Sequence, residues 1–114
     1  MCEANELEII KEQFKKCRDV LSAIGDETRQ LIIIALIDAE CTGIRVGEIK
    51  EKTHLSRPAV SHHLKILKES GIVNVNRIGT KNYYYLDPQS KLMLIKKLMS
   101  DIEKVIISGK CEKQ

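Results

Sequence analysis

Near the start of the chain, apolar residues recur at alternating spacings of three and four. Leu7, Ile10, Phe14, Cys17, Leu21 and Ile24 form a seam of nearly heptad period, which predicts a helix over residues 5–24. Gly25 stops it, and Asp26 offers a cap for a second helix carrying Leu31, Ile32, Ile33, Ile34, Leu36 and Ile37. That helix is apolar on most sides, so it is expected to be the buried one. Thr42 and Gly43 read as a turn, and Val46, Ile49 and Thr53 as a short third helix ending near His54. Ser56 caps a fourth. Pro58 falls in its first turn, where a missing N–H does no harm, and Gly71 closes it in the left-handed conformation.

The period then changes from helical to two. Val73 and Val75 alternate with Asn74 and Asn76, "GTK" turns the chain, and "NYYYL" returns with β-favouring aromatics. Asp87 and Pro88 break the strand and start a last helix over 88–108, where Leu92, Ile95, Met99, Ile102 and Ile106 repeat the first seam. The tail after Ser108 is expected to fray. The pattern predicts one domain over 1–114, mainly α with a small β-hairpin, in the order α-α-α-α-β-β-α. Residues 45–70 have helix-turn-helix proportions, and a hairpin at 72–86 supplies a wing.

With 114 residues there is enough chain for one core but too little for two. The longest apolar run, Leu31 to Ile37, is far short of the ~20 residues that cross a bilayer, so no membrane association is expected. The start, "MCEANELEII", is acidic and does not resemble a secretion leader, which gives the cytoplasm as the expected location. Cys2, Cys17, Cys41 and Cys111 are scattered without a C-x-x-C pair and are expected as free thiols in a reducing compartment. A net charge of +3 says little about partners, but its distribution says more. Residues 54–86 carry Arg57, Lys65, Lys68, Arg77 and Lys81 against the single acid Glu69, and all three histidines fall there too. The remainder holds 14 basic and 15 acidic residues, so the positive charge is concentrated in one segment, as in a polyanion-binding face.

The fourth helix separates its faces accordingly. At about 100° per residue, Val60, His63, Leu64 and Leu67 form an inward stripe, while Arg57, Ser61, Lys65 and Lys68 cluster on another side with Pro58 and His62 adjoining. A short, polar face that is basic near its N-terminal end suits a helix entering a major groove. The doublet in "SRPAVSHHLKIL" is thereby split: His62 joins the exposed polar set and His63 is expected to pack inward. Adjacent helical residues diverge by about 100° and cannot converge on one metal ion. No paired acid, activated nucleophile or phosphate-cradling loop supports catalysis. Arg77 and Lys81 flank the turn of the hairpin, where they would reach a nucleic-acid backbone. Tyr83, Tyr84 and Tyr85 read as hairpin packing, with one hydroxyl in reach of a phosphate as the alternative.

"LSAIGDETRQLIIIAL", "LSRPAVSHHLKILKESGIV" and "RIGTKNYYYLD" together resemble the ArsR/SmtB family of bacterial winged-helix repressors, over roughly residues 17–106. The Leu-Ser-x-Pro-x-Val-Ser-His-His-Leu run is far more specific than a generic helix-turn-helix. The resemblance implies a homodimer built on the helices at 5–24 and 88–108, in agreement with two seams that a single small core could not fully bury. It implies a double-stranded operator with two-fold symmetry, half-sites about one turn apart, and release by an inducer. By position, Ser56, Arg57, Ser61, His62 and Lys65 match the family's recognition-helix contacts, and Arg77 and Lys81 its wing contacts.

The chain departs from the metal-sensing members. Their Leu-Cys-x-Cys cysteines align with Arg45 and Gly47, and the ligands of their last helix align with Pro88, Ser90, Asp101 and Lys104. Neither set can hold zinc or arsenite, so no metal or cofactor is expected. Cys17 on the first seam reads as a small packed hydrophobe. The alternative pairs Cys17 or Cys2 with Cys111 across a dimer as a sensor of thiophilic metal or oxidant. A winged-helix module for protein interaction is another rival, disfavoured by Arg57, Lys65, Arg77 and Lys81. A small hydrolase or zinc enzyme is the third, and it lacks any ligand cluster. The expected function is a non-enzymatic, sequence-specific DNA-binding repressor.

Overall fold

The computed structural model describes the backbone of residues 2–39 and 42–110, and side chains within 5–39 and 42–108. Four helices come first: α1 (Cys2–Ile24), α2 (Glu27–Asp38), α3 (Val46–Thr53) and α4 (Arg57–Glu69). An antiparallel hairpin of β1 (Val73–Ile78) and β2 (Lys81–Leu86) follows, then α5 (Leu92–Val105), whose backbone continues as a π-helical stretch, Ile106–Lys110.

Local chemistry sets most of these boundaries. The Asp26 carboxylate accepts from the Arg29 backbone N–H at 2.9 Å and starts α2. Ser56 Oγ accepts from the Ala59 N–H at 3.2 Å and starts α4, with Pro58 in the first turn. That helix ends in a Schellman pair: Ile72 N–H reaches Leu67 O and Gly71 N–H reaches Lys68 O, both at 3.0 Å, with Gly71 at φ +83°. Ile72 and Leu67 are both fully buried, so the cap is closed by an apolar contact. His54 ends α3 at φ +61°, and His54, Leu55 and Ser56 make the tight turn into α4.

The main core gathers Val20 and Ala23 of α1, Ile32 and Leu36 of α2, Ile49 of α3, and Val60, Leu64 and Leu67 of α4, with Ile44, Ile72 and Val73. A smaller cluster, Ile10, Cys17 and Leu98, joins α1 to α5. The two long helices pack on each other and stretch the molecule to 56 × 27 × 22 Å.

A third strand-like residue extends the hairpin. Ile44, in the link between α2 and α3, pairs with Tyr84 through Ile44 N–H to Tyr84 O at 3.0 Å and Tyr84 N–H to Ile44 O at 2.8 Å. Gly43 makes the approach feasible: it sits at φ +94°, and a Cβ there would lie 2.8 Å from Tyr84 O.

Five expectations need correction. Helix α2 is not buried all round: Ile32 and Leu36 face the core, while Leu31, Ile34 and Ile37 stay 44%, 60% and 67% exposed, because this chain packs on one side of it only. Helix α5 starts at Leu92, not at 88, since Ser90 turns the chain first, its N–H bonded to Asp87 O and its Oγ to the Leu92 N–H. Its inward seam runs through Ile95, Leu98, Ile102 and Val105, leaving Met99 and Ile106 exposed. Helix α1 begins at Cys2 rather than residue 5, and the backbone keeps helical form past Ser108 to Lys110.

Replacing Gly43 by alanine should lower the unfolding free energy in urea by at least about 1–3 kcal/mol, because the residue would need both a left-handed backbone and room against Tyr84 O. Unchanged stability would show that the Ile44–Tyr84 pairing is dispensable.

Candidate nucleic-acid interface

Helix α4 presents two unlike sides. Val60, Leu64 and Leu67 are buried in the main core, and the helical period carries Arg57, Pro58, Ser61, His62, Lys65 and Lys68 to the exposed side. Ser56 is exposed at the N-terminal end. Its oxygen serves as the helix cap, which leaves the hydroxyl proton for an outside acceptor. The start of α4 therefore combines a positive helix end with Arg57, an arrangement that attracts anions.

The orientation of that face depends on a residue the sequence pattern did not single out. Arg29, in the first turn of α2, donates from Nε to Ala23 O at 2.7 Å and from Nη2 to Ser22 O at 3.4 Å, capping the end of α1. Its Nη1 lies 3.3 Å from Nδ1 of His63 on α4. A guanidinium only donates, so this contact needs a neutral His63 that accepts at Nδ1 and carries its proton on Nε2. One cation thus ties α1, α2 and α4 together. His63 is half-buried beside it, whereas the His62 ring is exposed, 5.1 Å away and nearly perpendicular. The available signal was the Asp-x-x-Arg spacing of "DETR", in which the capping aspartate and the arginine share one turn.

The hairpin separates its faces by strand alternation. The pairs Val73–Leu86, Val75–Tyr84 and Arg77–Asn82 lie on one side, and Asn74–Tyr85, Asn76–Tyr83 and Ile78–Lys81 on the other. Tyr84 and Leu86 pack on the core, so the first side faces the body and the second faces away. Arg77 and Lys81 are both exposed but stand on opposite faces of the wing. Arg77 also folds back on the turn, its Nε donating to Gly79 O at 3.2 Å. Tyr83 and Tyr85 share the outer face with Lys81 rather than packing with Tyr84.

Between the wing and the helix-turn-helix lies an open cleft of about 600 Å³. Arg57 lines it together with Thr80, Asn82 and Arg45, a further cation at the start of α3 that charge counting in 54–86 excluded. Glu48 and Glu51 line it too, so its charge is mixed. Among the described residues, no three His, Cys, Asp or Glu side chains gather where a metal ion could be held. Asp101, one of the positions aligned with metal ligands, is bonded instead to Gln13 and Lys97. Cys17 is a free thiol, 1% exposed, packed with Ile10 and Leu98. Cys41 and Cys111, and the side chain of Cys2, lie outside the described residues.

Residues 26–75, from the cap of α2 into β1, match the family described as "Bacterial regulatory protein, arsR family". The chain is 39% identical to an HTH-type transcriptional regulator of Methanocaldococcus jannaschii, over 66% of this chain and 82% of that protein. It is 38% identical to the transcriptional repressor SdpR of Bacillus subtilis, over 60% of this chain and 73% of the repressor. Among solved structures, NolR from Sinorhizobium fredii superposes with a TM-score of 0.62 at 29% identity, covering 81% of this chain and 88% of its own. The transcriptional repressor BigR from Xylella fastidiosa shares the fold, with a TM-score of 0.65 at 24% identity, covering 82% and 89%. No helix among the described residues is long and apolar enough to cross a membrane.

The neutral His63 has a consequence for stability. Burial pushes its pKa below the ordinary 6.5, and the nearby Arg29 and His62 charges act in the same direction against the attraction of Asp26. The unfolded chain therefore binds this proton more tightly than the folded one. The stabilising effect is fully present above pH 6.5 and is lost as pH falls through the lowered value. Urea titrations should show the midpoint dropping below about pH 6.5, before carboxylates titrate, and His63→Gln should remove that component. A midpoint that stays flat in wild type down to the carboxylate range would contradict the assignment.

Proposed function

The chain belongs to the ArsR family of bacterial regulatory proteins and is a DNA-binding transcriptional regulator, and we propose that it acts as a homodimeric repressor, seating α4 of each copy in the major groove of a two-fold symmetric operator. The observation that carries this is the division of α4, whose buried stripe holds the helix while Arg57, Ser61, His62 and Lys65 stand free beside Ser56. Arginine, serine, histidine and lysine at the first two turns of a groove-facing helix have the donors that base edges and phosphates accept. Arg77 and Lys81, one on each face of the wing, add backbone contacts that give affinity without sequence information.

The second copy is supported by what the first leaves uncovered. Leu7 and Phe14 on α1, with Met99 and Ile106 beyond them in sequence, are each about half exposed, next to the stripe that joins the two helices. A compact chain of this length has a radius of gyration of about 13 Å. The radius of gyration of this chain is 17.6 Å, as expected when two helices extend from the core to meet a partner. The dimer would work in the cytoplasm, where its operator is found. The likeness to the transcriptional repressor SdpR supports repression as the sense of control.

Selection from random duplexes should recover a palindrome with half-sites about 10 base pairs apart, and sedimentation should give the mass of two chains. Arg57→Ala and Lys65→Ala should each weaken binding to that duplex, by about 1–3 kcal/mol where a base contact is lost. Failure to enrich any palindrome, with binding indifferent to salt, would contradict the proposal.

A further inference from the structure

Taking the DNA-binding role above as given, we propose that Ile78 is an apolar DNA contact, laying its side chain against the deoxyribose carbons of the duplex when the wing docks. Ile78 is the last residue of β1, immediately before the Gly79–Thr80 turn, and is 59% exposed. Lys81 is its cross-strand neighbour on the same outer face, and Arg77 precedes it on the opposite face. The isoleucine thus shares the wing tip with two cations and its own face with one of them. Apart from Pro58 in the first turn of α4, every other apolar side chain in the basic segment 54–86 is buried or half-buried. The other exposed large apolar residues among those described lie on α1, α2, α5 and its π-helical extension, away from this face.

The hairpin does not use Ile78 for its own packing. Its inner face carries that work through Val73, Val75, Tyr84 and Leu86, and Ile78 lies on the outer face. Around Gly79, nothing lies within 4 Å of where a Cβ would stand, so that side of the tip is open. Duplex DNA offers a surface for an apolar group between its charged phosphates, namely the C–H edges of the sugars. Arg77 and Lys81 would hold the tip at the phosphates from its two faces, and Ile78 would then lose water against the sugars next to the phosphate that Lys81 meets. Such a contact adds affinity and releases no counterions, so it should be independent of salt, unlike its two neighbours.

The test uses the full-length protein and a duplex it selects from a random library. Ile78→Thr keeps the branched β-carbon and the strand preference while removing the apolar end. It should bind about three- to tenfold more weakly, with the slope of log affinity against log salt unchanged and an unchanged Tm. Arg77→Ala should reduce that slope by about one, and Ile78→Lys should restore affinity while steepening it by about one. Wild-type affinity in Ile78→Thr, a changed slope, or a loss matched by a fall in Tm would overturn the contact. If wild type itself binds no duplex, the DNA-binding role falls with it; if it binds and Ile78→Thr is indistinguishable, only the Ile78 contact falls.

Discussion

The structure depends on the burial of one side of α4. Val60 and Leu67 are fully buried and Leu64 nearly so, in a core supplied by α1, α2, α3 and β1. Burying three aliphatic side chains contributes on the order of 5–8 kcal/mol, a large part of what holds a small domain together. Because the helical period is fixed, anchoring that stripe also fixes where every other side chain of α4 points. Arg29 adds a directional constraint to the apolar one. Its guanidinium holds the end of α1 and the ring of His63 together, so α4 cannot roll about its axis without breaking a hydrogen bond in a half-buried site.

Much of this was legible in the sequence because it is local. The caps at Asp26 and Ser56, the left-handed stop at Gly71 and the hairpin each rest on residues close in sequence, and their chemistry does not depend on the rest of the fold. The face division of α4 was legible for the same reason. What escaped is what only tertiary contact decides. Nothing near Ile44 marks it as a partner of Tyr84, forty residues on. Arg29 bonds two other helices, a contact that no periodicity or charge count marks. Periodicity also marks apolar positions without saying which of two adjoining stripes faces the chain's own core. In α5 the inward stripe passes through Leu98, and Met99 and Ile106 lie on the uncovered one.

The distribution of surface chemistry has a physical logic. Exposed apolar side chains gather on α1, α2, α5 and its extension, while the segment from α4 through the wing is basic and polar apart from Pro58 and Ile78. The two faces thus suit different neighbours: aliphatic surface suits protein, and cations and hydroxyls with one isoleucine at the wing tip suit a polyanion. The familiar metal positions carry other residues here, and the described part of the chain gathers no ligand set in their place.

The central claim is that α4 meets DNA with one face and the protein core with the other. The two neighbouring histidines report on those faces separately, and their imidazole signals can be followed by NMR as a selected duplex is added. The account predicts that the His62 ring signals move with saturation while those of His63, held at Arg29, stay in place. Movement of His63 with a silent His62, or of neither ring under conditions where binding is saturated, would contradict it.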